Sequence, residues 1–369
     1  MSVYARDVVA FRGDAGIAER VDDDTSWSSR WKASRLPREV WDRVLLAPMR
    51  DILSRPGKSF RANLVSASWA LVDERRKPPP ALAEALEILH AGSLIVDDIE
   101  DDSDERRGAP CIHQIHGVPR ALNAGNHMYF WALELLSTLD VPAAVTTGLA
   151  RQANRTMLDC HRGQALDLGL VVGEVAQEHL PFAAAEISAL KTGALMSLAS
   201  YAGVLAAGGT REHVAAAESF GMRLGVVLQK LDDLGNLTSR NAPGKRFEDL
   251  RAGKVTWPWA WASESLSGSS FSELVERSTR IRNRHREIRG RADGATAHRG
   301  LDKNDRLDNN EAEVASLADD LLMVSGLRRR AEIQSELDAT LADLRATFGD
   351  CAAVKVIGDE MNRLKASYV

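Results

Sequence analysis

An all-α fold is the class this sequence predicts, and three observations carry it. Apolar residues recur at helical spacing through most of the chain, strand-like alternation is rare, and aromatics make up only 5% against 44% hydrophobic residues. A chain of 369 residues with that composition can bury a large helical core, and no stretch reads as a linker between domains.

Residues 1–26 are polar and acidic, with Asp22, Asp23 and Asp24 in a row, and read as a leader ahead of one domain over 27–369. Helical material begins near Trp27, passes through Val40 to Leu53 and breaks at Pro56-Gly57. A short helix over Ser59–Asp73 stops at Pro78-Pro79-Pro80, because proline lacks the amide hydrogen and clashes with the preceding turn. The central helix then runs from Ala81 to about Asp101. Further helices are expected at Arg120–Leu139, Ala143–Leu168, Phe182–Ala207, Arg211–Leu237 and Trp257–Leu266. Residues 268–313 differ: seven arginines fall from Arg277 to Arg291, and Gly, Asp and Asn accumulate through Asn310. That composition reads as an exposed, partly disordered hydrophilic insertion, with an anion- or membrane-contacting arm as the alternative. Helices over Val314–Val324 and Leu327–Phe348 close the bundle.

A net charge of −5 and a pI near 6.0 exclude a general nucleic-acid binder. Cys111, Cys160 and Cys351 are odd in number and widely spaced, which points to free thiols in a reducing, cytoplasmic compartment. The start, MSVYARDVVAFRGD, lacks the basic and apolar regions of a signal peptide. Gly193–Gly209 is uncharged but shorter than the roughly 20 residues of a spanning helix. It reads as a buried central helix, and no transmembrane segment is expected.

The chemistry concentrates at Glu87–Gly108. Leu86, Ile88, Leu89, Leu94, Ile95 and Val96 lead at helical spacing into Asp97, Asp98 and Asp101, followed by Arg106 and Arg107. Residues i and i+4 share a helix face, so Asp97 and Asp101 project side by side. Alone, such a cluster is as consistent with a solvated acidic helix end. A second acidic pair changes the reading: Leu224, Val227, Leu228 and Leu231 lead in the same way into Asp232 and Asp233. Two such helices can hold a shared cluster of hard cations, Mg²⁺ before softer metals, with a diphosphate as third party. Lys58, Arg61, Arg106, Arg107, Lys191, Lys245 and Lys254 supply the cations that a diphosphate site requires.

The ordered motifs GKxxR, HxxSLxxDDxxDxSxxRRG, GQxxD, KTxxL, QxxDD and GKxxxP resemble those of the trans-isoprenyl diphosphate synthases, over roughly Leu45 to Pro258. Within them the chain looks most like animal and fungal geranylgeranyl diphosphate synthases, on the phrases DDIEDDSDERRG, HQIHGVPRALNAGNHMYF and LDDLGNL. The resemblance implies the isoprenoid-synthase (class I terpenoid synthase) bundle around a central cavity, assembled as a homodimer or a higher oligomer. It implies condensation of isopentenyl diphosphate with an allylic diphosphate, farnesyl diphosphate for this product, by ionisation, condensation and elimination. It also implies about three Mg²⁺ ions per active site, or Mn²⁺ in their place, on Asp97, Asp98, Asp101, Asp232 and Asp233.

By the same resemblance, Lys58, Arg61, His90 and Arg107 take isopentenyl diphosphate without metal, while Arg106, Lys191 and Lys245 help neutralise the leaving allylic diphosphate and Lys254 is a further substrate-binding cation. Thr192 and Gln229 match positions that stabilise the allylic cation, and the released diphosphate takes the proton. Gly92 and Ser93 leave a small gate before Asp97, and Tyr129, Phe130 and His161 match the floor of fungal-type enzymes. His90 on an apolar face also suits a satisfied core histidine, and Tyr129 and Phe130 also suit core packing.

The chain departs from the pattern in places. Asn236 stands where the second acidic motif has its third aspartate, RGQALDLGLVVGE after His161 replaces an aromatic, charged segment, and Lys245 to Asp249 is one residue short of the animal enzymes. Three rivals share the motifs: a class I terpene cyclase, a prenyltransferase to a non-isoprenoid acceptor, and a non-catalytic partner subunit. Lys58, Arg61 and His90 are unexplained by the first two, and the intact aspartate pairs by the third.

Overall fold

The structure is a computed structural model, and it describes residues 34–238, 246–294 and 303–368 together with Ala18 and Val21. The leader over 1–26 lies outside the described residues apart from those two, which are buried, and so does the expected helix start at Trp27.

Helices account for nearly all of the described chain. They are α1 (Arg38–Trp41), α2 (Ala47–Ser54), α3 (Phe60–Ala70), α4 (Pro80–Glu100), α5 (Ile112–His116), α6 (Val118–Ser137), α7 (Ala143–Gly169), α8 (Leu180–Ile187) and α9 (Ala194–Ala206). After them come α10 (Arg211–Leu237), α11 (Glu248–Ala252), α12 (Trp257–Ser265), α13 (Gly268–Gly294), α14 (Lys303–Phe348) and α15 (Ala352–Tyr368). A two-stranded hairpin, β1 (Glu105–Arg106) with β2 (Ala109–Pro110), follows α4. The chain forms two interleaved units: one holds Met1–Leu158, Leu195–Met222 and Leu341–Glu360, the other Asp159–Ala194, Arg223–Thr340 and Met361–Val369.

In the first unit, α4 begins with proline in its first turn, where no amide hydrogen is needed. It buries Leu82, Ala83, Ala85, Leu86, Ile88, Leu89 and Ile95, covering most of its circumference, so it is a core helix rather than an amphipathic surface one. Each of its larger apolar side chains contributes about 1.5–3 kcal/mol on burial. Helix α3 starts after Ser59, a left-handed residue with φ 44° that offers no side-chain cap. The buried Glu87 of α4 fills that role, accepting from the Ala62 amide at 2.9 Å.

Helices α4 and α6 cross at a pair of glycines. A Cβ on Gly92 would stand 2.9 Å from the Gly125 carbonyl and 3.0 Å from Met128 Cβ, and one on Gly125 would stand 3.1 Å from the Gly92 carbonyl. Gly92 is therefore a close helix contact, with Met128 and Tyr129 beside the position a side chain would take. Gly92→Ala is expected to lower stability by about 1–3 kcal/mol, because backbone must move to admit the methyl group. Chemical denaturation checks this, and an unchanged midpoint would contradict the close crossing.

The core of the second unit gathers Leu180, Ile187, Leu237, Phe247, Leu250, Trp259, Phe271, Leu274, Ile281, Val314, Leu317 and Leu321. Three of these lie on α13, so the first half of the stretch expected to be a loose insertion is a packed helix. Three of its arginines are held by acidic partners: Arg277 by Asp320 at 2.5 Å, Arg284 by Glu313 at 2.9 Å and Arg282 by Glu174 at 3.4 Å. An anion-binding arm is not needed to account for them. Residues 295–302 of the same stretch lie outside the described residues. The expected helices Val314–Val324 and Leu327–Phe348 are one continuous helix, α14. A single interior glycine, Gly326, costs only about 1 kcal/mol, less than the burial on either side of it returns.

Among the described residues, only Gln177–Ala206 is long and apolar enough to cross a membrane, and 67% of that window is buried inside the fold.

Candidate functional site

Helix α4 ends where its aspartates begin. The Asp101 amide closes on the Asp97 carbonyl at 2.8 Å, which places both side chains on one partly exposed face. Asp98, about 100° around the helix, is 1% exposed and points inward. The chain then turns back through the hairpin, whose two central residues, Arg107 (φ 56°) and Gly108 (φ 77°), are both left-handed. That geometry matches strand twist in a two-residue turn, and a non-glycine residue holds it at a cost of about 1–3 kcal/mol.

The turn is paid for by contacts that Arg55 makes. This side chain, 6% exposed, donates to the Arg106 carbonyl at 2.9 Å and the Pro110 carbonyl at 2.8 Å, while Asp51 accepts from it at 2.8 Å. So fixed, the hairpin returns Arg106 to the acidic face: Nε donates to Asp98 at 2.7 Å and Nη2 to Asp97 at 3.3 Å. Burial opposes the Arg106 charge, but the Asp98 hydrogen bond and the charges of Asp98 and Asp97 hold its pKa above the ordinary value.

The hairpin also delivers Arg107. Its guanidinium lies against Gly57, where an added Cβ would stand 3.0 Å away, and Nη1 donates to the Arg55 carbonyl at 3.3 Å. His90, seven residues before Asp97 on the same helix, senses this group. Burial lowers its pKa well below the usual value, and the charges of Arg61, Arg107 and Arg106 lower it further. His90 is therefore a neutral hydrogen-bonding group at physiological pH, set among guanidinium groups. Lys58 stands exposed at the same α2–α3 connection. Lys58, Arg61, His90 and Arg107 form a cationic cradle that suits a polyanion.

The second unit carries its own arrangement. Helix α8 runs into a π-helical turn, Ser188–Gly193, before α9, and that turn presents Lys191 and Thr192. Two glycines let neighbouring helices close on it: a Cβ at Gly163 would stand 2.7 Å from the Lys191 amide nitrogen, and one at Gly225 2.9 Å from the Thr192 carbonyl. Asp167, 11% exposed, accepts from Lys191 Nζ at 2.7 Å and from Lys254 Nζ at 2.9 Å. Thr192 donates to Gln229 Oε1 at 2.6 Å, and Gln229 donates in turn to Asp233 Oδ1 at 2.8 Å. Asp233 Oδ2 accepts from the Trp257 amide at 2.8 Å, capping α12.

Adjacent aspartates thus divide their roles twice. Asp97 and Asp101 keep a partly exposed face and Asp232 is exposed, whereas Asp98 and Asp233 are buried and hydrogen-bonded. The inward carboxylates each hold a neighbour in place: Asp98 accepts from Arg106, and Asp233 from Gln229 and the Trp257 amide. Among the described residues no three acidic, histidine or cysteine side chains converge into a ready-made cage. Mg²⁺ does not need one, since it keeps several waters and takes one or two carboxylates. The donor set fits it. Burial pushes Asp249 up to about 7, with Asp167 and Asp232 adding to the shift against the pull of Lys254, and burial with Asp249 raises Asp233 well above the carboxylate range. Such an excess of carboxylate charge is what a bound divalent cation relieves.

Lys245 lies outside the described residues. Of the expected floor residues, Tyr129 is partly buried, but Phe130 is 71% exposed and His161 is exposed. Phe130 shares an outward stripe of α6 with Val118 and Leu122, because steps of four and eight residues return to one helix face. It does not line the interior of its own chain. Sequence reasoning assigned no role to Asp167, Asp249, Arg55 or Glu87. Asp167 sat in plain view as the aspartate of GQxxD; the other three are defined only by what they touch.

The polyprenyl synthetase family profile matches residues 42–289. Among curated proteins, the chain is 35% identical to geranylgeranyl pyrophosphate synthase 2 of Zymoseptoria tritici over 238 residues, 62% of this chain and 68% of that one. It is 31% identical to the geranylgeranyl pyrophosphate synthase of Eremothecium gossypii over 275 residues, 71% of this chain and 83% of that one. A crystal structure of a geranylgeranyl pyrophosphate synthase superposes with a TM-score of 0.73 at 18% identity, covering 99% of each chain. That likeness establishes the helical fold.

Proposed function

The chain belongs to the polyprenyl synthetase family, and from that premise we propose that it condenses isopentenyl diphosphate with an allylic diphosphate, farnesyl diphosphate, to give geranylgeranyl diphosphate. The two fungal relatives named above support the product. The observation that carries the reading is the cationic cradle of Lys58, Arg61, His90 and Arg107, set in the same unit as the Asp97–Asp101 face. A diphosphate held there needs no metal and leaves the acidic face for another. A terpene cyclase, or a transferase to a non-isoprenoid acceptor, has no use for a second diphosphate cradle.

By family resemblance, Asp97, Asp101 and Asp232 would hold Mg²⁺, about three ions. When bound, Mg²⁺ neutralises the charge that develops on the departing diphosphate. Arg106 holds Asp97 in place, and Lys191 and Lys254, aligned by Asp167, offer fixed positive charge to the diphosphate oxygens. The allylic C–O bond breaks and its electron pair leaves on diphosphate. By family resemblance, the oxygens of Thr192 and Gln229 would stabilise the resulting cation. The double bond of isopentenyl diphosphate, positioned by Arg61, His90 and Arg107, then forms the new C–C bond, and the released diphosphate takes the proton lost. Apolar helix walls exclude the water that would quench the cation.

The outward stripe of α6, with Val118 47%, Leu122 39% and Phe130 71% exposed, is the face we assign to a second copy of the chain. Three free cysteines suit a cytoplasmic enzyme.

The test is incubation of the purified protein with Mg²⁺, isopentenyl diphosphate and each of dimethylallyl, geranyl and farnesyl diphosphate, followed by mass analysis. Consumption of isopentenyl diphosphate with accumulation of geranylgeranyl diphosphate is expected. Isopentenyl diphosphate left untouched while an allylic diphosphate disappears would move the function to cyclisation or to another acceptor.

A further inference from the structure

Trp257 touches more of the second unit's chemistry than any role assigned above explains. Its amide caps onto Asp233 at 2.8 Å, and its indole Nε1 donates to Ser188 Oγ at 2.8 Å. Ser188 is 2% exposed and is the first residue of the π turn that presents Lys191 and Thr192; its hydroxyl donates onward to the Ala184 carbonyl at 2.7 Å. One side chain therefore joins the acidic motif of α10 to the turn that carries Lys191 and Thr192. Gln229 makes the same link by a second route, through Thr192 on one side and Asp233 on the other. The two routes close a ring of hydrogen bonds, in which a shift at any member changes the register of the rest.

The ring of Trp257 is itself held. Lys230 Nζ lies 4.3 Å from its centroid and donates to both carboxylate oxygens of Glu336 on α14, at 2.7 and 2.6 Å. Lys230 is 8% exposed, so its charge is desolvated, and the ring face and Glu336 together satisfy it. Trp261 stacks beside Trp257 at 5.9 Å between centroids. Neither Lys230 nor Trp257 belongs to the spaced motifs QxxDD and GKxxxP, although each falls inside one of them.

We infer that Trp257 is a positioning residue for the allylic-diphosphate half of the reaction: its indole locks the Lys191–Thr192 turn to Asp233, and the Lys230–Glu336 pair clamps its ring. This rests on the reaction proposed above. Trp257→Phe keeps the ring face and the backbone amide but removes the indole donor, and Ser188→Ala removes the acceptor while leaving the helix intact. Each variant is expected to raise the KM for the allylic diphosphate about tenfold, the scale of one buried hydrogen bond left unmade. The KM for isopentenyl diphosphate stays unchanged. The double variant is no worse than either single one, because both remove the same bond. Thermal protection by inorganic diphosphate with Mg²⁺ weakens in parallel. Equal shifts in both KM values, no shift in either, or additive losses in the double variant would overturn the inference. If the wild-type protein consumes neither substrate, the proposed reaction fails, and protection by inorganic diphosphate with Mg²⁺ still decides the role of Trp257.

Discussion

Asp97→Ala is expected to lower kcat by at least about 10³-fold, the scale on which active sites lose a preorganised electrostatic group, with little change in thermal stability. The carboxylate sits at the end of α4 on a partly exposed face, 21% accessible, and its contact with Arg106, at 3.3 Å, is a long one. Its neighbour supplies the control. Asp98 is 1% exposed and takes the closer hydrogen bonds of Arg106, itself only 16% exposed. Asp98→Ala leaves that guanidinium buried without its main partner, a defect worth about 3–5 kcal/mol of stability. Adjacent aspartates should therefore separate: one variant folded and inactive, the other unstable. Rates and melting temperatures of the two proteins check this, and an Asp97→Ala enzyme within about tenfold of wild type would remove Asp97 from the metal-holding set.

The same pair shows how far the sequence is legible. Helical periodicity and proline placement predict α4, α10 and α12 to within a residue or so, because long apolar stripes leave few alternatives. The motif residues, too, are visible from composition and spacing. What periodicity alone does not decide is which of two adjacent aspartates faces inward, since consecutive helical residues point about 100° apart and only the packed partner selects between them. Gly92 teaches the same lesson. A small residue near an acidic motif suits a cavity gate and a helix crossing equally in sequence, and only the packed chain shows the Gly125 carbonyl 2.9 Å from its missing Cβ. Phe130 was legible in principle, for the step of eight from Leu122 already places it on one face with an exposed residue. The arginine-rich stretch misled because charge density signals exposure, whereas Phe271, Leu274 and Ile281 at helical spacing signalled a buried stripe beneath it.

Asp167→Asn is expected to be the most damaging single change in the second unit. The carboxylate accepts from two ammonium groups, at 2.7 and 2.9 Å, and Lys191 and Lys254 are themselves only 29% and 14% exposed. Burial alone raises the Asp167 pKa, but the charges and hydrogen bonds of the two lysines outweigh it and lower the value. Asparagine keeps the shape and loses the charge, so two like charges are left facing each other. The expected cost is several kcal/mol, below the roughly 3–5 kcal/mol of a fully buried pair because solvent reaches Lys191. Lysines that lose their anchor also lose their aim. The kcat/KM for the allylic diphosphate should fall about 10²-fold while the KM for isopentenyl diphosphate holds, since Arg61, His90 and Arg107 belong to the first unit and Asp167 to the second. Because the folded pKa is depressed, the folded state binds fewer protons than the unfolded one as pH falls through the carboxylate range. The stability gap between wild type and variant is then full at neutral pH and closes in acid. Denaturation curves at pH 7 and at successively lower pH beneath the ordinary carboxylate value follow that window, and a gap that is absent at pH 7, or that widens in acid, would show that Asp167 is not the ionised anchor of the two lysines.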